Sequence, residues 1–146
     1  RVPCLLRWPA KLPKGKVSAQ MAITMDLSAT FAAVGGAEPP AGYVLDGMNL
    51  IPMLTGEKPE VADRSFFWRI QRSNRKMRAV RHGKWKYLDD GGTMDLLFDL
   101  ENDIGERQNL NFTHPEIVAD LKKRLAESGA SRAGSVAPEA DLPAES

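Results

Sequence analysis

Between Arg64 and Leu100 four runs of strand-forming residues follow one another with little between them: RSFFWRI, KMRAVR, KWKYL and DLLFDL. The second and third are joined at His82-Gly83. The third and fourth are joined by Asp89-Asp90-Gly91-Gly92. Parallel strands need a crossover of about a dozen residues or more, so connections this short demand antiparallel neighbours. The spacing predicts a four-stranded meander. Within it Trp85 and Tyr87 alternate to one face and Lys84 and Lys86 to the other.

The flanking segments read as helix and loop. THPEIVADLKKRLAE has Pro115 in its first turn, where the missing N–H costs nothing. Thr113 and Glu116 stand at capping-box spacing. Ile117, Leu121 and Leu125 form an apolar stripe with Val118 beside it. We expect this helix to lie on the sheet and to cover Trp85, with the lysines of KWKYL facing water. Upstream, TMDLSATFAAVGG places Leu27, Phe31 and Val34 at helical spacing, with Thr24 or Asp26 as cap and Gly35-Gly36 as stop. Val2 to Leu6 reads as an edge strand interrupted by Pro3. Residues 37–61 are rich in Pro and Gly and read as an ordered loop with one helical turn near Leu50 to Leu54. The fold class is therefore α+β. The chain opens on Arg1 inside an apolar run, and we expect it to be a piece of a longer protein.

Composition constrains function only weakly. In 146 residues, 20 Lys and Arg face 19 Asp and Glu, so the net charge of +1 selects no partner. No apolar run approaches the roughly 18 residues of a membrane span. Cys4 is the single cysteine, which rules out an internal disulfide, and a small core thiol is its expected role.

The distribution of charge says more. Nine cations lie between Arg64 and Lys86 with no acid among them, and Phe66, Phe67, Trp68 and Trp85 are interleaved. A stand-alone basic module binding single-stranded nucleic acid or an anionic glycan could use such a surface. The run Asp89, Asp90, Asp95, Asp99, Glu101, Asp103 and Glu106 follows at once, so pairing across neighbouring strands is the alternative. The ribonucleoprotein aromatic motif is missing, and no nucleic-acid partner is expected. Asp99 to Glu106 fails the calcium-loop pattern, with Ile104 at its sixth position and Leu110 at its twelfth. Separated from each other, His82 and His114 make a poor metal pair.

Five blocks, in order, resemble the C-terminal part of a sulfatase of the alkaline-phosphatase-like superfamily: RVPCLLRWPAKLPKGKV, ITMDLSATFAAVGGAEPP, LDGMNLIPMLTGEKP, AVRHGKWKYL and LLFDLENDIGERQNL. Ala10, Ala29 and Ile104 depart from the family's Gly, Pro and Pro. The resemblance implies that residues 1–60 end the large α/β domain, contributing a strand and a helix. It implies that 61–127 form a small subdomain of four antiparallel strands and a C-terminal helix, and that 128–146 are a mobile tail. It implies sulfate-ester hydrolysis by the longer protein, with calcium and a formylglycine made from Cys or Ser in Cys/Ser-x-Pro-x-Arg. Cys4 lacks that context, since Leu6 and Trp8 stand where Pro and Arg are required. No catalytic or metal residue is therefore expected in this chain, and the chain alone is expected to be inactive. Arg69 and His82 are the candidates for a substrate rim. The implied partners are the large N-terminal catalytic domain and a sulfated small molecule or glycan, with no membrane partner. The implied location is periplasmic or extracellular. A phosphate or phosphonate ester hydrolase of the same superfamily is the alternative. Val2, Leu5, Phe31 and Val34, cut off from the large domain, are expected to be exposed and to drive self-association.

Overall fold

The computed structural model describes residues 2–61, 63–72, 75–91 and 94–133. The chain divides into two compact units, Arg1–Arg64 and Ser65–Ser146.

In the second unit the meander forms as expected. Strands β1 (Ser65–Arg72), β2 (Arg75–His82), β3 (Trp85–Asp89) and β4 (Asp95–Asp99) pair antiparallel in the order β1-β2-β3-β4. Helix α3 (Pro115–Ala133) follows. The register puts Phe67, Val80, Tyr87 and Leu97 side by side in one row across the four strands. That row meets Val118, Leu121 and Leu125 of α3 in a single core, with Val80 and Leu97 fully excluded from water. The two outer strands are treated differently. Along β4, the Asn109 side chain accepts from the Leu97 amide at 3.0 Å and donates to the Asp95 carbonyl at 3.2 Å, and the Leu110 amide donates to the Leu97 carbonyl. A single segment thereby satisfies the edge that would otherwise present unpaired backbone.

Several details differ from expectation. Tyr87 is buried, but Trp85 is only partly so; it packs beside the core and lies 5.1 Å from the His114 ring. Helix α3 starts at Pro115, and the Thr113 hydroxyl donates to the Leu110 carbonyl at 3.0 Å, so the predicted cap does not sit at the helix start. The helix also runs to Ala133, past the boundary drawn at residue 127. No proline interrupts it there, and each added residue continues the ladder at little cost. The rest of the expected mobile tail lies outside the described residues.

The first unit holds helix α1 (Thr24–Val34) and the short helix α2 (Ile51–Thr55). Val2 to Leu6 form no strand: the segment is extended, and no strand of this unit pairs with it among the described residues. Val2 and Leu5 are exposed, and so is Cys4, which is not a core thiol. Helix α1 turns a polar side inward and leaves Phe31 and Val34 exposed, as expected of residues cut off from the large domain. Asp26, Ala29 and Thr30 are buried, whereas Phe31 and Val34 are exposed. The cause is the loop that follows. Asp26 follows the N-cap residue, Ile23, by three positions and accepts from its amide at 2.8 Å. Its other oxygen accepts from the Met48 amide at 2.9 Å, and the Thr30 hydroxyl accepts from Leu50 at 3.0 Å. Gly47 lies so close that a Cβ there would sit 2.1 Å from the Met25 carbonyl oxygen. The loop therefore covers the polar side of α1 and leaves its apolar side uncovered within the unit.

Candidate functional site

The basic block resolves into ion pairs. Arg78 on β2 grips Asp89 on β3 at 2.5 Å; Lys84 reaches Asp99 at 2.9 Å; Lys86 holds Glu106 through contacts of 2.7 and 2.8 Å; Lys122 of α3 reaches Asp95 at 2.5 Å. Lys84 and Lys86 thus do not simply face water. Adjacent antiparallel strands put side chains about 5 Å apart, so a basic strand beside an acidic one pairs by default.

The acidic run is equally engaged. The Lys84 ammonium, followed by Asn102 and the Glu101 amide, brings the Asp99 carboxyl down to about 2. One oxygen of Asp103 accepts from both the Arg107 and Gln108 amides. Glu106 adopts a left-handed backbone, φ 53°, and its carboxylate is held by Lys86. Because these carboxylates turn to different partners, among the described residues no three His, Cys, Asp or Glu side chains come together as a metal site.

Arg69 and His82 are not neighbours in the sheet. Arg69 stands opposite Arg78, while His82 stands opposite Ser65 and Trp85. Four residues of strand separate them, about 13 Å. The His82 Nδ1 lies 3.0 Å from the Ser65 hydroxyl. Arg69 is exposed and makes no ion pair or hydrogen bond among the described residues.

Arg69 belongs instead to the helix-facing row Arg69, Arg78, Asp89, Asp95, one step beyond the core row. Here the sheet and α3 leave an open cleft of about 290 Å³. Its polar lining is Arg78, Asp89, Asp95 and Lys122, and Tyr87, Leu125 and Ala126 complete it. The Tyr87 hydroxyl donates to Asp95 at 2.6 Å; burial, reinforced by that carboxylate, pushes the phenol well above its ordinary value. Lys122 and Tyr87 together hold Asp95 below the usual carboxylate range. Burial works to raise Asp89, but Arg78 and the Gly91 amide outweigh it and the net change is downward. No sequence signal links Lys122 to Asp95, since 27 residues separate them.

In the first unit the strongest polar centre is Asp26, fully buried and bound by both Arg64 nitrogens at 2.7 and 3.0 Å. Burial alone would raise its pKa. The guanidinium and the Met48 and Ile23 amides overcome that, and the carboxyl sits below its ordinary value. Sequence reading took Asp26 for a cap and missed Arg64. Both groups are saturated by protein partners, which makes the pair a clip rather than a reactive centre.

Comparison with known proteins identifies the family. The family model for the C-terminal region of N-sulphoglucosamine sulphohydrolase matches residues 1–131. N-acetylgalactosamine-6-sulfatase of Canis lupus familiaris is 37% identical over 154 aligned residues, covering 84% of this chain and 28% of that protein. Arylsulfatase A of Bos taurus is 34% identical, covering 87% of this chain and 29% of that protein. The crystal structure of Ps i-CgsB superposes with a TM-score of 0.72 at 28% identity, over 82% of this chain and 27% of the other. The chain thus spans less than a third of the length of each of these relatives. It belongs to the N-sulphoglucosamine sulphohydrolase C-terminal family and is a C-terminal part of a sulfatase.

Proposed function

We infer that this chain is the non-catalytic C-terminal portion of a longer protein that hydrolyses sulfate esters. The observation that carries the reading is the family match across residues 1–131 in a chain that spans only 28% of a sulfatase relative. The pairing of the basic block with the acidic run supports a structural use of these charges over a nucleic-acid surface. In this reading the calcium ion and the formylglycine belong to the rest of the parent. Among the described residues no three His, Cys, Asp or Glu come together to hold the ion, and Cys4 lacks the Pro and Arg that the formylglycine motif requires. The parent's own N-terminal catalytic domain is the partner, and a sulfated sugar or aryl ester is the substrate. A periplasmic or extracellular location accords with the family resemblance, and no described helix is long and apolar enough to cross a membrane.

Arg69 and His82 are proposed as rim contacts for the anionic substrate, acting through long-range attraction. Substituting either in the full-length protein should flatten the salt dependence of kcat/KM. An unchanged salt dependence removes that residue from the rim.

The function itself is tested by assaying the full-length protein for sulfate release from an aryl sulfate and from a 6-sulfated amino sugar. Phosphate and phosphonate esters are assayed in parallel. Sulfate release lost on Tyr87→Asp, which breaks the small core, supports the reading. Release of phosphate or phosphonate but not sulfate overturns it.

A further inference from the structure

The cleft between α3 and the outer end of the sheet has a composition that ion pairing alone does not explain. Its floor is electrically neutral, because Arg78 is matched by Asp89 and Lys122 by Asp95. Yet Arg78 and Lys122 remain about half exposed, at 46% and 48%, so donors and acceptors alternate along a wall open to water. Leu125 and Ala126 give it an apolar side. Hydroxyls that both donate and accept, carried on an apolar ring, match such a wall better than any simple ion does.

The lip differs from the floor. Arg69 stands directly across from Arg78, and Lys76 precedes Arg78 by two residues on the same face of β2. Neighbours of these two kinds lie about 5 and 7 Å away. Arg69 and Lys76 are both exposed, and neither makes an ion pair or hydrogen bond among the described residues. Two cations with no acidic partner among the described residues therefore border a neutral, polyol-compatible floor. Trp68, the exposed aromatic of β1, alternates to the opposite face, so the cleft lacks the stacking platform that a nucleic-acid base would use.

We propose that this cleft is a subsite for a sulfated glycan chain, taking one sugar ring on the floor and a sulfate at Arg69 and Lys76. The proposal rests on the reading that the parent acts on sulfated substrates. It adds a second point of contact for the glycan, so that oligosaccharides are preferred over monosaccharides.

The test is calorimetric binding to the full-length protein. The probes are a chondroitin 6-sulfate hexasaccharide, its desulfated form and a hexanucleotide. Ala126→Trp, at an exposed helix position, should block the cleft and weaken both oligosaccharides. Arg69→Ala combined with Lys76→Ala should weaken the sulfated one about tenfold, leave the desulfated one within twofold and reduce the salt dependence. Hexasaccharide affinity unchanged in both variants overturns the proposal. So does a hexanucleotide that binds as tightly as the hexasaccharide and is displaced by Ala126→Trp. Sulfate release is assayed separately. A parent that releases sulfate but ignores both variants defeats the subsite alone. A parent that releases none defeats the function while still reporting on the cleft.

Discussion

Asp26 gathers two amides and both ends of a guanidinium around one buried carboxylate. Removing one member of a buried, fully bonded pair strands the other, so Asp26→Ala is expected to destabilise by about 3–5 kcal/mol in a denaturant melt. A loss under about 1 kcal/mol would show that the clip is dispensable. The same chemistry sets an acid limit. Asp26 and Asp99 both titrate lower in the folded protein than the ordinary value of 3.8, Asp99 at about 2. Their contribution is complete above the unfolded carboxyl pKa and is lost as pH falls through the folded one. The melting temperature should therefore drop between about pH 4 and pH 2, and Asp99→Asn should lessen the drop. Gly47 adds a steric test. Any side chain there meets the Met25 carbonyl, so Gly47→Ala should push the loop off α1 and lower the melting temperature.

At the level of elements, the core row and the α3 stripe make Leu121, 1% exposed, the natural probe. Leu121→Ala should cost about 3–5 kcal/mol, and Trp85→Ala less, because part of the indole stays in water. A melt ranking the two the other way would mean that α3 is docked through Trp85. The meander was legible because alternation and short connections act locally: Trp85 and Tyr87 could be assigned to one face from their positions alone. The inward side of helix α1 was not: the exposure of Phe31 and Val34 was expected, but the burial of Asp26 and Thr30 follows from hydrogen bonds to Met48 and Leu50 that no hydrophobic pattern announces. Such bonds join residues about twenty positions apart and leave no periodic trace. Lys122 and Asp95 escaped for the same reason. The rim candidates show the limit for sites: Arg69 and His82 were named as a substrate rim, and only the register shows that they stand four residues of strand apart.

At the level of the whole chain, exposed apolar residues concentrate in the first unit. Val2, Leu5, Phe31 and Val34 are 88%, 96%, 63% and 47% exposed, the condition expected of a piece separated from its larger partner. The isolated chain should self-associate in sedimentation as concentration rises, and Phe31→Ser with Val34→Ser should suppress this. A clean monomer at high concentration would show that these residues find cover within the chain.

The clip between Asp26 and Arg64 has one more consequence. Residues 35–46, between α1 and α2, are exposed throughout and rich in Pro and Gly. A protease that nicks this segment would sever the covalent link without touching the carboxylate, the guanidinium or the Met48 amide. The two pieces should then travel together on a native gel and separate only in denaturant, held as a non-covalent complex by the buried Asp26–Arg64 pair and the hydrogen bonds around it.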